Sequence, residues 1–347
     1  WNLRSHNCAH IERDFGYTTA QANRVRAACK VACETCTSDR ALIHHVGVPR
    51  SYRKKSGPYP LFLYFHGWGG NGEECGNVCE HARKNGFVTV AMRGMGPAFY
   101  ASWKGFGSTE SPGSDGPTCN VDTSEDLCYD DCNPNCRPCW WTTCRDSVAQ
   151  VKAVLRSLSS ALCLDSRQVF ASGCSNGAMF LYTLARDSEF SLRAIAPVVG
   201  LPHNGFNFGP LEMSTTRFIG YYGLSDTTVP PLSNTNDPTK SYDTTNRGWY
   251  YSTARNTTSL WAARNGCDEV NTPTQSLNLA KEVTCLEYSG CDKAVVECVF
   301  EGGHICNRKW QFEPIIDFML EDLKSNSTSS NSSNQAMYAL ISLGAIF

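Results

Sequence analysis

The chain has 347 residues, 41% of them apolar, enough to bury a large core in one big α/β domain or in two ordinary ones. Its 31 lysines and arginines face 33 acidic residues, and no basic run or basic-aromatic stripe appears, so nothing electrostatic supports a nucleic-acid or anionic-membrane partner. Nineteen cysteines and the sequons at Asn256, Asn326 and Asn331 point instead to an oxidising, secretory route.

The numbering begins at Trp1 without an apolar leader, the expectation for a secreted chain whose signal peptide has been removed. Residues 1–38 read as a small cysteine module: Cys8 stands apart, and "CKVACETC" supplies Cys29, Cys33 and Cys36. Its ending resembles the close of a ShK-toxin-like domain, with four cysteines where that family has six.

From about residue 39 to 323 the pattern becomes short apolar runs alternating with helical stretches. "YPLFLYFHG" (59–67) suits a strand buried on both faces of a parallel sheet, and "GFVTVAMRG" follows after room for a helix. Between Asp146 and Leu162, the residues Val148, Val151, Val154, Leu155 and Leu158 form one apolar helical face. "RQVFASG" predicts a strand, "NGAMFLYTLAR" a helix, and "RAIAPVVG" and "TRFIGYYG" two more strands. Such alternation implies βαβ units and a mostly parallel central sheet flanked by helices. The segment from Cys119 to Cys144 carries six cysteines and few aliphatics, as a disulfide-stapled loop does. Zinc is the competing reading for Cys128, Cys132, Cys136 and Cys139, whose short spacings also suit a metal, but a cysteine-dense secreted chain favours disulfides.

The stretch "FASGCSNGAMF" carries the chemistry. A bare G-x-S-x-G is weak, but here an apolar strand precedes Ser175, Gly173 and Gly177 permit a tight turn, and a helix starts at once. A serine hydroxyl needs a base to take its proton, and such a turn projects it from the sheet while the helix N-terminus offers N–H groups to developing negative charge. Asn176 would give one oxyanion-hole donor through its backbone. The bland reading is an ordinary strand-loop-helix turn.

A nucleophile of this kind requires an acid and then a histidine after late strands. "FIGYYGLSDTTVP" presents Asp226 and "VVECVFEGGHICN" presents His304, the only histidine after His203; Asp237 and Asp243 are weaker candidates for the acid. "FHGWGGNGEE" offers the second oxyanion donor, the N–H of Trp68, with its indole as an additional or alternative apolar wall. His66 precedes the nucleophile and reads as a structural hydrogen-bonding residue. At the end, residues 324–347 form a Ser/Asn-rich linker and a short apolar tail, "AMYALISLGAIF". That order is either a GPI-attachment signal or a disordered linker with a sticky end. Nowhere is there a full-length membrane span.

The segments "PLFLYFHGWGGN", "CWWTTCRDSVAQV", "VFASGCSNGAMF", "AIAPVVG", "YGLSDTTVP", "NGC" at 265–267 and "VTCLEYSGC…VVECVFEGGHIC" together resemble the secreted polyhydroxybutyrate depolymerase and feruloyl esterase-like family, including its LpqC-type members. The resemblance covers about residues 42–322 and implies an α/β-hydrolase fold with Ser175, Asp226 and His304 as catalytic triad and no metal or organic cofactor. It further implies a secreted monomer that hydrolyses esters of feruloylated or acetylated polysaccharides, or hydroxyalkanoate polyesters. Two positions depart from the family: Ala178 where a second glycine is common, and Cys306 where a tryptophan often stands two residues past the histidine. A hydrolase-like surface recognition module without catalysis is the alternative function. Cys174 adjoins the nucleophile and Cys306 lies two residues past the base, so a disulfide between them is one expectation; tannase-like feruloyl esterases have a related pairing. A buried, unpaired Cys174 thiol under the turn is the other.

Overall fold

The computed structural model describes residues 43–53, 57–96, 100–105, 107–122, 127–187, 191–206, 216–245 and 248–323. The N-terminal cysteine module, the C-terminal tail, and the sequons at Asn326 and Asn331 lie outside them.

Among the described residues eleven strands carry the architecture: β1 (Ile43–Gly47), β2 (Tyr59–Phe65), β3 (Val88–Met92), β4 (Leu164–Cys174), β5 (Ala194–Val198), β6 (Arg217–Gly223), β7 (Lys240–Tyr242), β8 (Tyr250–Ser252), β9 (Gln275–Leu277), β10 (Val283–Glu287) and β11 (Val295–Phe300). Nine of them form one sheet in the order β1-β3-β2-β4-β5-β6-β11-β10-β9, and β7 pairs with β8 as a separate ribbon. The six central strands from β3 to β11 are mutually parallel, with β1, β10 and β9 joining antiparallel at the margins. The helices are α1 (Gly76–Lys84), α2 (Ser147–Ala161), α3 (Asn176–Leu184), α4 (Ala254–Arg264) and α5 over 309–323. This is an α/β-hydrolase fold, as the resemblance implies.

The apolar runs of the central strands are continuous because both faces are covered. Leu61, Leu63 and Phe65 of β2 pack with Val151 and Val154 of α2, Phe180 and Leu181 of α3, and Trp261 of α4. Phe62 and Tyr64 turn the other way, onto Val78 and Ala82 of α1 and Phe312 and Ile316 of α5. Each such aliphatic or aromatic side chain contributes about 1.5–3 kcal/mol by burial. Helix α2 starts where its sequence says it should, with the Asp146 carboxylate accepting from the Ala149 N–H at 2.9 Å.

Strand order reverses between β2 and β4: β3 is added on one side of β2 and β4 on the other. In open parallel sheets the crevice at the carboxyl ends of such a pair is where ligands bind. "HGWGG" leaves β2 there and "CSNG" leaves β4 there, side by side.

Seven disulfides occur among the described residues. The insertion is stapled internally by Cys119–Cys139, Cys128–Cys136 and Cys132–Cys144, so the four cysteines read as possible zinc ligands are spent on sulfur partners. Asp131 lies beside Cys132 and Cys144, but its carboxylate accepts from the Cys144 N–H and the Thr143 hydroxyl. Cys163 is the one unpaired cysteine among the described residues. The sequon at Asn256 falls in the first turn of α4, where the amide a glycan would occupy donates to Ser252 Oγ at 2.9 Å and Thr258 is buried against Glu297.

Candidate active site

The turn after β4 is as tight as its glycines suggest. Ser175 has φ 53° and ψ −119°, a conformation that L residues rarely adopt and that costs roughly 1–3 kcal/mol. What holds it there is close approach. A Cβ on Gly177 would run into the carbonyl oxygens of Phe65 and His66, one on Gly173 would sit 2.7 Å from the Gly177 carbonyl carbon, and one on Gly200 would strike the Ser175 carbonyl. The Ser175 N–H donates to Val198 O at 2.9 Å, and its carbonyl accepts from Met179 N–H at 2.9 Å as α3 begins.

Three side chains from the carboxyl ends of β4, β6 and β11 meet in one line. His304 Nε2 is 2.8 Å from Ser175 Oγ, and His304 Nδ1 is 2.7 Å from Asp226 Oδ2. The other Asp226 oxygen accepts from the N–H groups of Thr228 and Val229, each at 2.9 Å. With Oδ1 occupied, Oδ2 fixes the proton on Nδ1 and leaves Nε2 as acceptor for the serine hydroxyl. The Asp226 side chain is 1% exposed and the His304 ring 25%, so the acid is shielded while the base meets solvent or ligand. Asp237 and Asp243 are elsewhere: the first accepts from Thr239 on an exposed turn, the second from Thr245.

The loop bearing His304 is fastened on both sides of the ring. Ser225 N–H donates to Gly302 O at 2.8 Å upstream. Downstream, Asn307, itself at φ 63°, donates through Nδ2 to Glu74 O and exchanges a bond with the Tyr64 hydroxyl. Gln311 of α5 donates to Ile305 O at 3.0 Å. Cys306 is joined to Cys174, with Cα atoms 5.9 Å apart, so the paired alternative holds and the free-thiol alternative for Cys174 does not.

A Cβ on Gly67 would lie 3.5 Å from Ser175 Cβ, which puts the loop carrying Trp68 against Ser175. Asn176 begins α3, where the first helical N–H groups have no intrahelical acceptor. Its side chain is committed to structure, accepting from Trp103 N–H at 2.8 Å and donating to Trp103 O at 3.0 Å. The Trp103 indole N–H donates in turn to His66 O at 2.9 Å, so one residue braces both turns. His66 is a structural histidine, as its position in the chain before Ser175 suggests: Nδ1 donates to Gly67 O and Nε2 accepts from Gly94 N–H. Burial pushes its imidazole down to about 4. His203 is likewise buried, accepting from Trp141 Nε1 at 2.9 Å and donating to Tyr250 O, with its pKa pushed down by burial to about 4.

Sequence reading did not find Asn307, Gln311, Glu74 or Tyr129. A polar residue three positions past the histidine carries no motif, and the partners of the others are set by tertiary contact.

The chain matches no protein-family model. It is 24% identical over 172 residues to the probable feruloyl esterase C of Aspergillus flavus, covering 49% of this chain and 55% of that protein. It is 24% identical over 170 residues to feruloyl esterase C of Emericella nidulans, covering 48% and 52%. The chain spans about half the length of the curated relatives it matches. Among solved structures, an acetyl xylan esterase from Aspergillus awamori superposes with a TM-score of 0.47 at 14% identity, over 79% of this chain and 92% of that one. The sequence relatives agree with the feruloyl esterase-like resemblance.

Proposed function

We propose that this chain is a secreted serine carboxylesterase that cleaves esters through an acyl-enzyme, with Ser175 as nucleophile, His304 as general base and Asp226 as its orienting acid. The observation that carries this reading is the unbroken contact from Ser175 Oγ through the His304 ring to Asp226, at 2.8 and 2.7 Å. His304 takes the serine proton as Oγ attacks the ester carbonyl, and the backbone N–H groups of Trp68 and Asn176 hold the tetrahedral oxyanion. The protonated imidazole then gives its proton to the departing alcohol. Water, deprotonated by the same ring, attacks the acyl-serine, and the acid leaves with Ser175 restored. Asp226 stabilises the imidazolium in both halves.

The substrates we propose are feruloyl esters, the bond that the names of the sequence relatives print, with acetylated polysaccharides and hydroxyalkanoate polyesters as the other classes the family resemblance implies. Seven disulfides among the described residues support export to an oxidising compartment. A non-catalytic recognition module has no use for a strained serine in contact with a histidine, and costly strain of this kind marks sites where it serves mechanism. A fluorophosphonate probe tests the reading: it should label the wild type and not Ser175→Ala, and equal labelling of both, or of neither, refutes it. Rates on methyl ferulate, acetylated xylan and polyhydroxybutyrate, measured side by side, identify the substrate class.

A further inference from the structure

The loop after β2 reads Gly67-Trp68-Gly69-Gly70, so three of its four residues have no side chain and Trp68 is its one side-chain handle. Glycine backbone is permissive, and Gly69 uses that freedom at φ 75°. A loop of this composition does not hold a donor still by its own stiffness. Its backbone anchors are Gly69 N–H to Ala101 O at 2.8 Å, Gly70 N–H to Gly67 O at 3.0 Å, and a long bond from Gly67 N–H to Glu74 Oε2 at 3.3 Å.

The handle is gripped from outside the loop. Trp68 Nε1 donates to the Tyr129 hydroxyl at 2.7 Å, and that hydroxyl donates onward to Tyr100 O at 2.5 Å. The Tyr100 ring lies 5.2 Å from the indole and completes the seat. Tyr129 belongs to the stapled insertion. Its neighbour Cys128 is bonded to Cys136, Cys132 is bonded to Cys144, and Cys132 N–H donates to Tyr129 O at 2.8 Å. The phenol is 5% exposed, and burial raises its pKa, so it stays protonated and able to donate and accept at once.

We propose that Tyr129 is a positioning residue for the reaction: through the Trp68 indole it fixes the glycine-rich oxyanion loop against Ser175, which makes the cysteine-stapled insertion part of the catalytic apparatus. The proposal rests on the esterase reading above. Deleting an oxyanion donor costs about 10²–10³ in kcat, and loosening one rather than deleting it should cost about tenfold. The donor is needed most when charge has developed on the carbonyl oxygen, so the loss falls on kcat and leaves KM within about twofold.

The test is steady-state hydrolysis of p-nitrophenyl acetate by the wild type, Tyr129→Phe, Trp68→Phe and the double variant. Both substitutions keep an aromatic ring and remove one end of the hydrogen bond. Each single variant should lose about tenfold in kcat with KM little changed, and the double variant should be no worse than either, because both break one link. If Tyr129→Phe does not accumulate as folded protein, Trp68→Phe alone carries the test. An active wild type with single variants within about twofold in kcat, or losses that multiply in the double variant, overturns the proposal alone. An inactive wild type, unlabelled at Ser175, overturns the esterase reading and this proposal with it.

Discussion

Cys174 and Cys306 are 132 positions apart, yet their disulfide ties the residue before Ser175 to the second residue after His304. Ser175 and His304, the proposed nucleophile and base, are therefore carried on two turns joined by one covalent bridge. Replacing both cysteines by alanine removes a crosslink over a long loop, worth about 2–5 kcal/mol of stability. The variant should unfold at lower temperature, and kcat should fall while the Ser175 and His304 side chains remain in place. A double variant as thermostable and as active as the wild type would falsify a bracing role for the bridge.

Asp226→Asn tests the orientation of the base. The amide cannot accept from the Nδ1 proton and also keep both of its bonds to Thr228 and Val229 in the present arrangement. The wrong imidazole tautomer should lower kcat by about 10⁴ with little change in thermal stability. A loss of less than tenfold would move the acid's role elsewhere, with Asp243 the next residue to replace.

Gly177→Ala should damage folding as well as activity. The added methyl would meet the Phe65 and His66 carbonyl oxygens, which are backbone and cannot swing aside. Overpacking of this kind costs roughly 1–3 kcal/mol or more, and here the strain falls on the strand that leads to Trp68. Circular-dichroism melts and p-nitrophenyl acetate turnover check it; an unchanged melt would mean that α3 shifts freely on β2.

Two buried histidines set an acid limit on stability. Burial holds His66 and His203 down to about 4, against an ordinary value of 6.5. Below pH 6.5 the unfolded chain takes up protons that the folded one refuses, so this stability is complete above about 6.5 and drains away as pH falls toward 4. The loss can reach on the order of 3 kcal/mol per histidine. Urea unfolding at pH 7, 5.5 and 4.5 should show falling midpoints, and unfolding at pH 5.5 should take up about one proton for each of these two rings. A midpoint that holds level or rises with acidification contradicts the neutral assignment.

The parts of the molecule legible from sequence are those fixed by local pattern. Ser175, Asp226 and His304 each follow closely on a strand whose apolar run is continuous because helices cover both faces, with glycines or a helix start marking the turn, so strand and side chain are read together. Strand β1 escaped because "IHHVG" at the sheet margin carries two histidines and is only partly covered. Strand β9 is three residues of mixed character, and α4 mixes polar and apolar residues with little amphipathic pattern; their placement comes from pairing with β10 and from packing Trp261 onto Phe218. Tyr129 escaped for a different reason. Six cysteines within 26 positions admit many connectivities, and the contact of that phenol with the Trp68 indole is set by the tertiary structure that goes with the one adopted.

The Cys174–Cys306 bridge also turns the chain between them into a covalent ring that contains Asp226. Within that ring the stretch around Leu232, 57% exposed, is open to a protease. A single cut there leaves two fragments that run as one species until a thiol is added. Durability against nicking is thus a property of this bridge itself, because the halves bearing Ser175 and His304 stay in one molecule after the peptide between them is severed.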